Sequence, residues 1–276
     1  MNQNWVIENL ERAFGTWNAR LTELWSLVTA SPQTFRGGAL WGVMQSVQNS
    51  LVAVGYGLLV LFFAMSLFRN TANLNELKRP ETALAYLIRF AAAKILVGRS
   101  SEVMLTIFEV CNGIAMQAAG RMGGISLAMV SLPDEIRTAV GQAGFLASVP
   151  LWLVTILGSL FVTVLSFVMV LTVYGRFFRL YLYTALAPVP LAAFAGETTQ
   201  SVGTAFVKTY VGVCMEGAVI VLACILYSGF VSTPAVSTGE AASMVWSYLA
   251  EVIFNMLILV GLVKSADRVV HEMMGL

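Results

Sequence analysis

Residues 179–197 read RLYLYTALAPVPLAAFAGE. The stretch is apolar enough for a membrane interior, yet Pro188 and Pro190 interrupt it. Either it crosses a bilayer or it enters and turns back, and the path of every neighbouring segment depends on which. Each proline lacks an N–H and disfavours helical geometry in the residue before it. A short segment broken near its middle suits a re-entrant or interfacial element over 181–196. Such backbone is tolerated at depth only where protein buries it or it lines a wet cavity.

The composition sets the frame. Of 276 residues, 58% are hydrophobic and 11% are charged, against about 25% charged in an average soluble domain. This excludes an ordinary globular enzyme and points to an all-α polytopic membrane protein. A formal net charge of +1 gives no bulk signal for nucleic-acid binding. The cysteines, Cys111, Cys214 and Cys224, lie in apolar runs without a CxxC pair, so neither a metal site nor a disulfide framework is expected. The start, MNQNWVIENLE, is polar and acidic where a cleavable signal would be basic and then apolar.

Along the chain, 1–49 forms an external N-terminal region. Leu10, Phe14, Trp17, Leu21, Leu24 and Val28 recur at helical spacing, and Trp5, Trp17 and Trp25 add rings that suit a membrane interface. SPQTFRGG, 31–38, is a turn. A helical transmembrane domain fills 50–276. Its first span, 50–68, carries no charge and covers about 28 Å at 1.5 Å per residue, enough for the hydrocarbon core. Residues 82–98 hold Arg89 and Lys94 and read as an interfacial helix whose cations reach water. Further spans follow at 102–120, 145–174, 203–229 and 243–263, five in all.

Charge placement orients them. The 231–242 loop has no Lys or Arg and should face out; the tail has Lys264 and Arg268 and should face in. The 203–229 span then starts inside, as Lys208 near its beginning agrees. If 181–196 dips in and returns, Arg176 and Arg179 stay inside too. The N-terminus is then outside and the C-terminus cytoplasmic.

Glu109, Glu216 and Glu251 lie within spans, with Asn112 and Asn255 nearby. Glu109 shares a helix face with Asn112, and Glu251 with Asn255, by their three- and four-residue spacing. Such groups face a bundle interior, a cavity or a partner. They are a candidate polar seam, either hydrogen bonds between helices or a lined ion path. No HExxH, GxSxG or P-loop pattern occurs, and the only aspartates, Asp134 and Asp267, lie in a loop and the tail. No enzyme, cofactor or metal is expected.

The run 173–230, with the Gly175-Arg176 pair, the Ala187-Pro188 turn and the Gly196-Glu197 loop leading into a span, resembles the TrbL-type (VirB-six-like) family of inner-membrane components of type IV secretion systems, in versions from Gram-positive conjugative elements. The resemblance is strongest over 145–265. It implies a non-enzymatic channel or scaffold subunit of a conjugative DNA-transfer machine in the bacterial plasma membrane. The expected partners are other membrane subunits, cytoplasmic ATPases that supply energy, further copies of the chain, lipid, and single-stranded DNA or protein cargo in transient contact. On this reading Arg176, Arg179, Pro188, Pro190 and Glu197 form a cytoplasmic-side docking or gating element. The alternative is a small-molecule or ion transporter that uses Glu109, Glu216 and Glu251.

Overall fold

The computed structural model describes residues 4–70, 80–121, 129–142, 145–230 and 241–275. Most of the polar loop expected at 69–81, part of that expected at 121–144 and nearly all of the cation-free loop at 231–242 lie outside the described residues. Among the described residues there is no strand. The helices are α1 (Asn4–Thr29), α2 (Ala39–Asn70), α3 (Pro80–Gly98), α4 (Ser100–Arg121), α5 (Asp134–Gln142), α6 (Phe145–Leu186), α7 (Pro188–Ala192), α8 (Gln200–Phe230) and α9 (Ala241–Met274). The protein is an all-α polytopic membrane protein. Among the described residues four helical stretches are long and apolar enough to cross a membrane: Phe35–Arg69, Val149–Leu186, Gln200–Phe230 and Ser243–Met274. The 49/50 boundary drawn from sequence falls inside α2, because its apolar run continues a helix already begun at Ala39.

The chain divides into two compact units. The first contains Met1–Thr29, Ala115–Gly175 and Gly217–Ala266. Here α1 buries its whole apolar stripe, Leu10, Phe14, Trp17, Leu21, Leu24 and Val28. It runs beside α6 in the same direction. Trp5 stacks on Trp152 at 6.3 Å, Arg20 lies 5.5 Å over the Phe167 ring, and Tyr174 donates to Glu23 at 3.5 Å. Asn18 clamps the chain at Val130, donating to its carbonyl at 2.9 Å and accepting from its N–H at 3.0 Å. Helix α5 rises from what sequence reads as a plain loop. Asp134 and Glu135 in its first turn favour the positive helix end, and Ile136 and Val140 are buried. Arg137 pairs with Glu11 at 2.5 Å.

The second unit contains Ala30–Ile114, Arg176–Glu216 and Asp267–Leu276. The 31–38 turn is present. Arg36, Gly37 and Gly38 take positive φ, and a Cβ on Gly38 would lie 2.9 Å from the Gln33 carbonyl. The register of α2 against 177–197 fixes the path of the broken segment. Phe35 stacks on Phe177 at 4.1 Å, and Trp41 packs against Tyr181 at 6.4 Å. Farther along, Gly55 meets Pro188, Gly196 meets Phe62, and Ser66 Oγ accepts from the Glu197 N–H at 3.3 Å. As one chain advances, so does the other. Residues 181–186 complete α6; the break is confined to α7, a 3-10 turn at Ala193–Ala195 and extended Gly196. The segment therefore travels with α2 and does not fold back on it.

Helix α3 runs opposite to α2: Phe90 packs on Phe63 at 4.7 Å, and Gln48 donates to Ser100 at 3.0 Å. It is α3, the expected interfacial helix, that lies beside the 50–68 run. Neither α3 nor α4 is among the four stretches long and apolar enough to cross a membrane. Sequence weighed Arg89 as too costly for this position, but folding brings the Glu197 carboxylate to 3.8 Å from it. Helix α4 continues in the direction of α3, and its Met104 carbonyl accepts from Tyr210 at 3.0 Å. The start of α8 runs opposite to 176–199, with Gly203 at Phe194, Phe206 at Tyr183 and Cys214 at Arg176. The end of α9 brings Asp267 to Arg179, then Gly275 to a shallow cavity shared with Gln200 and Lys208. Among the described residues of this unit the chain runs along α2, back along α3–α4, forward along 176–199 and back along the start of α8, with the end of α9 beside them.

Candidate functional site

The densest charge in the second unit joins three helices. Arg176 and Arg179, three residues apart, share a face of α6. Arg176 is 1% exposed. Its Nε donates to the Val213 carbonyl at 3.3 Å and its Nη2 to the Cys214 carbonyl at 3.2 Å. Its guanidinium also sits 5.7 Å over the Phe108 ring. A helical carbonyl keeps a second lone pair after its i+4 bond, so α8 can accept this cation without losing a turn.

Arg179 binds outward from the same face. Its Nη2 lies 2.8 Å from both carboxylate oxygens of Glu216, which is 1% exposed. Its Nη1 lies 2.5 Å from Asp267, and His271 Nε2 approaches that same carboxylate at 3.5 Å. One arginine thus ties α6 to α8 and α9. Two carboxylates balance two guanidinium groups, so the buried charge is compensated. The arrangement holds helices together; among the described residues no cluster of three or more His, Cys, Asp or Glu could hold a metal ion.

The expected docking residues separate into two places. From Arg176 to Pro188 the chain advances twelve residues, roughly 18 Å if helical throughout. Pro188 is buried against α2, and Pro190 is half-buried. Glu197 is exposed and faces Arg89, whose Nη1 is buried and makes no hydrogen bond. The arginines and Glu197 lie at opposite ends of the 176–197 segment.

The intramembrane polar residues also divide. Glu216 is taken by Arg179. Glu109 is exposed on α4 with Asn112 half-buried; Glu251 is exposed on α9 with Asn255 half-buried. Those pairs belong to different units.

Sequence reasoning missed Asp267 and His271, which it left in a short tail. A signal was available: Val263, Ala266 and Val270 continue the helical spacing and are all buried. Arg89 beside Glu197 had no comparable signal, since the two meet only through the fold.

A family model described as TrbL/VirB6 plasmid conjugal transfer like protein matches residues 17–188. The match begins in α1 and ends at Pro188, farther toward the N-terminus than the 145–265 region in which the sequence resemblance was strongest. It takes in both arginines but not Glu216 or Asp267. No curated protein and no solved structure matches the chain. With more than half its length matched, and with helices fit to cross a membrane, the chain belongs to the TrbL/VirB6-like conjugal transfer family of type IV secretion membrane components.

Proposed function

We propose that the protein is a non-enzymatic scaffold subunit that helps form the membrane conduit of a conjugative transfer machine. The observation that carries this reading is the compensated clamp of Arg176, Arg179, Glu216 and Asp267. It ties charges into pairs within apolar helices, as a scaffold requires. The N-terminus lies outside and the C-terminus in the cytoplasm, in keeping with Lys208, Lys264 and Arg268. Copies of the chain assemble with other membrane subunits, and cytoplasmic ATPases drive the cargo. In this topology the Pro188–Glu197 turn and the α8 start face the ATPases, and the arginine clamp serves packing. The transporter alternative loses one of its three glutamates, because Arg179 holds Glu216.

The test is mating. Deletion of the gene abolishes transfer of the element, and wild-type protein supplied in trans restores it. Thr198→Lys, an exposed change in the same turn that leaves the Arg89–Glu197 pair in place, accumulates normally but lowers transfer. Full transfer by the deletion strain overturns the reading; full transfer by T198K removes the turn from it.

A further inference from the structure

Four polar residues on α9 recur at four-residue steps: Ser243, Ser247, Glu251 and Asn255. The first three are exposed and Asn255 is half-buried. Trp246, Phe254 and Leu257, all exposed, flank the line, while Val245, Leu249, Val252, Met256 and Leu259 bury the opposite face. The helix is otherwise apolar enough to cross a membrane. Among the described residues Glu251 forms no ion pair with a cation.

Hydrocarbon is a poor neighbour for such a face, since an ionisable group at membrane depth turns to a cavity or a partner. A carboxylate with no cation beside it needs water. The line is also only one residue wide, so its large apolar flanks can pack on protein or lipid while the polar groups between them stay hydrated. We infer that Ser247, Glu251 and Asn255 face water within the membrane and form part of the wall of a hydrated path for polar or cationic species. The inference deepens the conduit reading and rests on it only for what passes along the path.

Cysteine accessibility tests it in the full-length protein in intact cells. Ser247→Cys, Glu251→Cys and Asn255→Cys are compared with Trp246→Cys, Phe254→Cys and Leu257→Cys, using a membrane-impermeant sulfonated maleimide. The three native thiols are buried, and the unsubstituted chain gives their background. Labelling of the polar positions well above the flanking ones is the expected result. Ser247→Cys, nearly isosteric, keeps the test valid if the Glu251 variant fails to accumulate. Protection of all three polar positions places lipid or protein on this face and overturns the inference. Equal labelling of all six positions places the helix in open water and also overturns it. Mating after labelling addresses the conduit separately: a labelled S247C chain that still supports full transfer leaves the wet face standing and counts against the conduit.

Discussion

At the scale of the residue, Arg179 and Glu216 decide most. Each was visible in the sequence as a charge in an apolar run, but their pairing was not, because 37 positions of chain separate them. A fully buried pair that loses one partner costs about 3–5 kcal/mol; Arg179 is part-exposed and keeps Asp267, so Glu216→Leu costs less than that. It still lowers the unfolding midpoint of purified protein in detergent. In a double-mutant cycle, Arg179→Met with Glu216→Leu costs less than the sum of the two single changes. Additive losses from the two single changes would show that the contact carries no coupling. Asn18 offers a second check in the other unit. Asn18→Ala strips two hydrogen bonds from Val130, each worth roughly 0.5–1.5 kcal/mol. Thermal unfolding of this variant falls below that of Thr22→Ala, an exposed change on the same helix whose Oγ1 meets only the Asn18 backbone.

At the scale of the element, α2 and the proline-broken segment fit by close backbone approach. A Cβ on Gly55 would lie 2.8 Å from the Pro188 carbonyl oxygen, and one on Gly196 would lie 2.9 Å from that of Phe62. Backbone cannot swing aside as a side chain can, so Gly55→Ala costs on the order of 1–3 kcal/mol by overpacking. Gly57→Ala, two residues along α2 with open space around it, is neutral or stabilising by helix propensity. Equal stability of the two variants, measured by detergent melts, would remove the close contact. The sequence marked the break correctly, because proline chemistry is local. It was silent on direction, because nothing in Pro188 or Pro190 says which helix they will rest on. The α1 stripe was legible for the opposite reason: its spacing is a property of one helix, and all six of its apolar positions are buried.

At the scale of the whole molecule, an all-α membrane architecture followed from composition and apolar run length alone. Those signals add up over many residues and survive local errors. The identity of the helix beside the 50–68 run did not follow. Arg89 and Lys94 made α3 look too polar, and only the fold supplies Glu197. The helical end of α9 was read as tail because sequence gives weight to charge there and less to the buried spacing between charges. The family match strengthens the reading of function without assigning any single residue to it.

Residues 179–197 advance along α2 from one end of its apolar run to the other. Paired cysteines with a short thiol-reactive bis-maleimide, which spans the width of two facing aromatic side chains, test this path most directly in native membranes. The account predicts that Trp41→Cys with Tyr181→Cys and Ser66→Cys with Glu197→Cys each form a cross-link, while Trp41→Cys with Glu197→Cys does not. A cross-link between positions 41 and 197, with none between 66 and 197, would mean that the segment turns back, and would contradict the account.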